Sequence, residues 1–178
     1  MFKGDWPDDQ KQGIEDAFEF LEQRTSDLVG QIEDYLNSFA PCSISEETRE
    51  NIEQIQDRME GLEDAFSSDT TINLRHHNFW WWQDRIADTY KYPWYWLGAD
   101  YRIRFNEDED WSVANAHRVR IRVLHELMHI MEYEEGIGDQ DGTHGPLDAH
   151  LLEMLSHQDF ENWLWLPTFI SEESKEGR

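Results

Sequence analysis

The sequence predicts an α+β fold, with an N-terminal helical hairpin followed by short strands and a further long helix. Two segments near the N-terminus repeat apolar residues three and four positions apart, which is the spacing of one helix face. Residues 101–105 alternate apolar side chains with arginine, as half-buried strands do. A third helical pattern follows this strand and stops at Gly136.

Residues 1–69 are predicted to form an acidic, amphipathic helical hairpin. The first helix is expected from about Asp8 to Phe39, and Pro41 then ends the pattern because proline cannot continue a helix. The second helix follows a short turn and reaches Phe66. The apolar faces are Ile14, Phe18, Leu21, Leu28, Ile32, Tyr35 and Phe39 in the first helix, and Ile52, Ile55, Met59, Leu62 and Phe66 in the second. We expect the hairpin to serve packing or dimerisation, with binding of a specific partner as the alternative.

The chemistry is expected in residues 70–170, the second predicted domain, and residues 171–178 are expected to be a flexible tail. All eight histidines lie after residue 70. The elements expected here are strands at 71–74 and 101–105, and helices at 83–90 and from Asp110 or Ser112 to about Glu135.

The chain is strongly acidic, with a formal net charge of −24 from 39 acidic and 15 basic residues. A surface of this sign repels nucleic acid and anionic membranes at ordinary salt. The charge has three explanations: solvation in the brine of a halophile, mimicry of nucleic acid, and steering of a cationic substrate. The halophilic explanation is favoured because the acidic residues are spread along the chain and lysine is scarce.

A single cysteine, Cys42, allows no intramolecular disulfide and no cysteine-based zinc knuckle. The first residues lack an apolar signal region, and no apolar run approaches the length that spans a membrane. We therefore expect a soluble cytoplasmic protein, of a halophilic host or of its virus, with no membrane partner.

The central motif of the second domain is H-E-x-x-H, from His125 to His129. Residues four apart share a helix face, so the two imidazoles point at one spot. This is the two-histidine half of a catalytic zinc site, in which the intervening Glu126 is the usual general base. Leu127 and Met128 suit the buried side of the same helix.

A catalytic zinc ion needs a third protein ligand. The candidates are His144, Asp148, His150 and Glu153, all downstream of the motif helix. The segment before His144 is rich in glycine, so it can turn this histidine back against the helix. Glu153 could instead supply a carboxylate ligand.

The motif, together with His144, Gly145 and Pro146, resembles the SprT-like (Spartan-related) zinc metalloprotease family over about residues 95–160. The resemblance implies a zincin fold, with a small twisted sheet beside the active-site helix. The sequence departs from the family in its acidic hairpin, in lacking a C-terminal zinc ribbon, and in the Leu147 that follows the His-Gly-Pro string.

The resemblance also implies the roles of the site residues. Zn²⁺ would be held by His125, His129 and His144, with Glu126 as catalytic base, and His144 is for this reason preferred to Glu153. The expected function is that of a zinc-dependent endopeptidase acting on a protein or peptide. The alternatives are a zincin with a glutamate third ligand that cleaves a regulatory protein, and a non-catalytic acidic binding or decoy protein on a zincin scaffold.

Several residues around the motif carry further expectations. The edge of the strand that holds Ile103 is expected to pair with an extended substrate. Candidates for the lining of the cleft are Tyr101, Arg102 and Arg104. The three arginines before the motif are expected to pair with carboxylates, and they are Arg118, Arg120 and Arg122. The hairpin is the surface through which a homo-oligomer or a partner would bind.

Overall fold

The computed structural model describes residues 2–38, 46–67, 70–79, 86–91 and 99–135. The helices in this part of the chain are α1 (Asp8–Ser38), α2 (Glu46–Phe66) and α3 (Ala116–Glu135), and a short 3-10 turn (Val113–Asn115) leads into α3. The strands are β1 (Phe2–Lys3), β2 (Ile72–His77), β3 (Ala87–Lys91) and β4 (Tyr101–Asn106). The predicted α+β class is confirmed, as are the two hairpin helices, the motif helix and the strands at β2 and β4. None of the described helices is long and apolar enough to cross a membrane.

The described strands form one mixed sheet in the order β1, β2, β4, β3. β1, β2 and β4 run parallel, whereas β3 runs antiparallel to β4. Ile103 at the centre of β4 is paired with Leu74 on one side and with Thr89 on the other. The prediction that β4 offers a free edge to a substrate is therefore wrong, because both of its sides already pair with neighbouring strands.

The helix expected at residues 83–90 is wrong for residues 87–90, which belong to β3. The pairing with β4 explains the difference, since Arg104 reaches across the two strands. Its Nε and Nη2 atoms donate to the two carboxylate oxygens of Asp88 at 2.7 and 2.5 Å, and Nη2 also donates to the hydroxyl of Tyr90 at 2.6 Å. Residues 87–91 lack the apolar alternation that identifies β4 as a strand, and these long-range contacts favour the strand.

The hairpin shares a hydrophobic core with the rest of the described chain. α1 and α2 contact each other, and both contact α3. The buried stripe residues include Ile14, Leu21 and Ile32 of α1, and Ile52, Ile55, Met59 and Leu62 of α2. They form one cluster with apolar residues of β4 and α3. The stripes therefore serve packing inside the molecule, whereas dimerisation and a domain division at residue 69 stay predictions.

α1 packs closely on the segment that leads into α3. A Cβ atom on Gly13 would lie 2.1 Å from the backbone oxygen of Trp111, far inside van der Waals contact. Trp111 is fully buried, and its Nε1 donates to the backbone oxygen of Asn106 at 2.7 Å. Glycine at position 13 thus permits the close approach of α1 to the backbone of Trp111 and Ser112.

The arginines that precede the motif attach α3 to its surroundings. Nη1 of Arg122 donates to Oε2 of Glu109 at 2.7 Å, and Nη2 of Arg118 lies 3.5 Å from the same oxygen. Arg120 instead places its guanidinium carbon 3.7 Å from the ring centroid of Phe20 on α1. The predicted pairing with carboxylates is confirmed for Arg118 and Arg122, and the contact that the structure gives Arg120 is with an aromatic ring.

Candidate metal centre

The two motif histidines lie on α3, one helical turn apart. Their Nε2 atoms are separated by 3.2 Å, and their ring planes meet at 89°. Leu127 and Met128 between them are fully buried, whereas both imidazoles keep partial exposure. The helix therefore turns its apolar side into the core and directs His125 and His129 to one point, as the four-residue spacing predicts.

The separation of the two Nε2 atoms fits a shared metal ion. Zinc–nitrogen bonds are about 2.0–2.1 Å long, so two nitrogens at a tetrahedral angle on one ion lie about 3.3 Å apart. The value for His125 and His129 is 3.2 Å. The same distance is that of a hydrogen bond between the two rings, and it also matches the separation that a tetrahedral zinc site needs. Imidazole nitrogen is a ligand that suits zinc.

Glu132 determines which nitrogen of His129 carries the proton. Oε2 of Glu132 lies 3.1 Å from Nδ1 of His129, and an ionised carboxylate can only accept, so Nδ1 is the donor. In the neutral ring the lone pair is then on Nε2, the atom that faces His125. A carboxylate behind a metal-binding histidine commonly orients the ring in this way and raises its basicity.

The local electrostatics around His129 favour a cation. Burial by itself lowers the pKa of His129, but the hydrogen bond to Glu132 and the negative charges of Glu126 and Glu132 outweigh it. The net result is a pKa raised above the ordinary value of 6.5. The same negative charges that favour a proton on this ring also favour a bound metal cation, so the two compete for the site.

Glu126 is almost completely buried, at 4% exposure, on the side of α3 that meets β3. The hydroxyl of Thr89 lies 2.6 Å from its Oε2 and 3.1 Å from its backbone oxygen. A hydroxyl has a single proton, and the shorter distance assigns it to the carboxylate. Thr89 was missed from the sequence because it falls in the segment expected to be a helix. The orientation of Thr89 towards α3 follows from its pairing with the buried Ile103 on β4, and residues 87–91 carry no apolar alternation that signals it.

The candidates for a third metal ligand all lie outside the described residues. Within the ranges that the structure describes, no group of three His, Cys, Asp or Glu side chains could hold a metal ion. The four candidates, His144, Asp148, His150 and Glu153, all lie outside those ranges. The described part of the centre is thus two imidazoles and their neighbouring carboxylates, and the preference for His144 stays a prediction.

The three residues expected to line a cleft, Tyr101, Arg102 and Arg104, lie on two different faces of the sheet. Tyr101 is fully buried in the core, so the expectation is wrong for this side chain. Arg102 and Arg104 alternate with Ile103 along β4 and therefore lie on the opposite face of the sheet from it. There Arg104 is held by the carboxylate of Asp88, which raises the pKa of its guanidinium further.

Comparison of the chain with protein-family models, with curated proteins and with solved structures finds no match. The observations that bear on function are therefore the geometry of α3 and β3 and the motif itself.

Proposed function

We propose that the protein is a zinc-dependent endopeptidase of the H-E-x-x-H type. The observation that carries the proposal is the 3.2 Å separation of the Nε2 atoms of His125 and His129 on one face of α3. The carboxylate of Glu132 behind the second ring supports it further. The resemblance of the motif and of the downstream His144 to the SprT-like family points to the same activity.

Each residue has its own task in this proposal. His125, His129 and His144 hold Zn²⁺, and Glu132 keeps His129 in the tautomer whose Nε2 carries the lone pair. Bound zinc would act as a Lewis acid and lower the pKa of water at the site. Glu126 would accept a proton from a water whose oxygen adds to the carbonyl carbon of the peptide, and would return it to the amine nitrogen as the C–N bond breaks.

The substrate is proposed to bind along β3. This strand stands at one end of the order of described strands, and Thr89 joins it to Glu126. An extended polypeptide can add to such a strand through backbone hydrogen bonds, which recognise the chain with little regard to its sequence. A protein or peptide substrate bound there would lie beside the catalytic base.

Metal analysis of purified variants tests the metal centre. We expect one equivalent of zinc in the wild type and in His117→Ala, an exposed histidine on the same helix. His125→Ala and His129→Ala should lose the metal while keeping the helical circular-dichroism spectrum. A wild type that binds no zinc, with these variants equally folded, would rule out the proposal.

Hydrolysis of denatured casein tests the role of Glu126. The Glu126→Gln protein should keep its zinc and lose about 10²–10⁴-fold in rate, the range of general acid–base catalysis. Full activity in this variant would remove Glu126 from the mechanism. A wild type that holds zinc and hydrolyses nothing would favour the non-catalytic binding protein instead.

The identity of the third ligand is tested by two further substitutions. We expect His144→Ala to weaken zinc binding strongly and Glu153→Gln to leave it unchanged. The reverse result would establish a zincin with a glutamate ligand, the alternative considered for this chain.

A further inference from the structure

Thr89 connects the sheet to the catalytic carboxylate by an unusually direct contact. Its hydroxyl lies 2.6 Å from Oε2 of Glu126 and 3.1 Å from the backbone oxygen of the same residue. Thr89 is only 8% exposed and Glu126 only 4%, so little water competes for the contact. The single proton of the hydroxyl is donated to Oε2, so one side chain on β3 holds the side chain of one residue on α3.

The position of this hydroxyl is itself well determined. Thr89 is paired with Ile103 in the antiparallel register of β3 and β4, and Ile103 is fully buried. Threonine is β-branched, so its χ1 angle has few allowed values. The neighbouring Asp88 is tied to Arg104 on the other face of the sheet, which keeps β3 in register. The backbone and the χ1 angle of Thr89 thus hold its hydroxyl in one position on β3.

Glu126 needs such a support because its side chain is long. A glutamate has three rotatable bonds, and a base that takes a proton from water has to remain within hydrogen-bond reach of it. Loss of a short hydrogen bond to the carboxylate would release the side chain to other rotamers. It would also leave a buried charged oxygen without this donor.

We propose that Thr89 is the positioning residue for Glu126, holding the carboxylate in a single rotamer between α3 and β3. The inference rests on the proposed function, since it concerns the base of that reaction. It also links substrate binding to catalysis, because the strand proposed to carry the substrate carries the group that places the base.

Three substitutions in the full-length protein separate positioning from simple packing. Thr89→Val keeps the shape and the β-branch but removes the hydroxyl. Thr89→Ser keeps the hydroxyl and loses the methyl group. Thr89→Ala removes the hydroxyl and the methyl group together. If the valine variant does not fold, the alanine variant takes its place in every measurement. The zinc affinity of each protein is measured by competition with a chromophoric chelator. The crystal structure of each zinc-loaded protein then shows the rotamer of Glu126, and casein hydrolysis gives kcat and KM.

We expect Thr89→Val to bind zinc as the wild type does, since both motif histidines are untouched. The carboxylate of Glu126 should occupy more than one rotamer in its crystal structure, and the kcat for casein should fall about 10- to 100-fold with little change in KM. Thr89→Ser should restore the single rotamer and most of the kcat.

The rotamer readout keeps this inference separate from the proposed function. A single, unshifted rotamer of Glu126 in Thr89→Val would overturn the positioning role, whatever the wild-type activity is. So would a serine variant as impaired as the valine variant. If the wild type hydrolyses no casein, the endopeptidase proposal fails, and the rotamers of Glu126 still decide whether Thr89 places this side chain.

Discussion

Oε2 of Glu132 accepts a hydrogen bond from Nδ1 of His129 at 3.1 Å, three residues beyond the second histidine of the motif. Glu132 is only 5% exposed, and a carboxylate buried to this degree needs a partner to be tolerated. Nothing in the H-E-x-x-H pattern requires an acidic residue at this position. The contact nevertheless orients one of the two histidines that we propose as metal ligands, so it leads directly to a test.

Substitution of Glu132 should weaken metal binding without unfolding the helix. We expect Glu132→Gln to lower zinc affinity about 10- to 100-fold, because the carboxylate no longer fixes the tautomer and the basicity of His129. Competition with a chromophoric chelator measures the change. Glu63→Gln, at an exposed position of α2, is the matched control and should leave the affinity unaltered. An unchanged affinity in Glu132→Gln would show that this contact is structural only.

The raised pKa of His129 gives the metal-free and zinc-loaded proteins opposite dependences on pH. Because the pKa of His129 is higher in the folded protein than its ordinary value, the protonated ring stabilises the metal-free fold below about pH 6.5, and this contribution disappears as pH rises through the folded pKa. Zinc needs the deprotonated ring, so its binding strengthens over the same range.

The gain in Tm from zinc should therefore increase with pH. Calorimetry of zinc-loaded and chelator-treated protein measures this gain, and the comparison cancels the titration of the many surface carboxylates. At a free zinc concentration about 1,000-fold above Kd, binding stabilises the fold by about 4 kcal/mol. A gain that is constant or falls from about pH 5.5 to about pH 8 would contradict the assignment of His129 as a ligand.

Two glycines of α1 should respond to alanine in opposite directions. At Gly13 a Cβ atom would meet the backbone of Trp111 at 2.1 Å, so Gly13→Ala should destabilise the protein by about 1–3 kcal/mol. At Gly30 a Cβ atom would meet nothing within 4 Å, so Gly30→Ala should stabilise the helix by about 0.5–1 kcal/mol. Urea denaturation measures both. Equal effects of the two substitutions would mean that α1 does not approach Trp111 as described.

Molar salt should stabilise the protein, as the halophilic interpretation of its net charge of −24 requires. The distance over which surface charges repel each other, the Debye length, falls from about 10 Å at 0.1 M salt to about 3 Å at 1 M. We expect Tm to rise steadily with KCl concentration. Replacing the exposed Glu50, Glu53 and Glu63 of α2 by glutamine should raise Tm at low salt and flatten the salt dependence. A Tm that does not change with KCl concentration would rule out the halophilic explanation of the acidic surface.

The helices were predictable because their pattern is local and long. α1 and α2 repeat apolar residues over many turns, and in α3 the motif histidines share a face whatever surrounds them. β3 was not predictable from its five residues because, unlike the similarly short segment of β4, they do not alternate apolar with polar side chains. Its conformation follows from pairing with β4, where Arg104 holds Asp88 and Tyr90.

The sequence by itself determined the α+β class, the amphipathic helices and the meeting of His125 with His129, since a spacing of four residues on a helix sets that distance within one turn. Only the tertiary structure decided that β4 is an inner strand and that Glu126 is held by Thr89. Those two residues are 37 positions apart in the chain, and their contact exists because β3 pairs with β4 and packs against α3. Strand order and helix–sheet packing of this kind depend on the whole core, and no local pattern of residues encodes them.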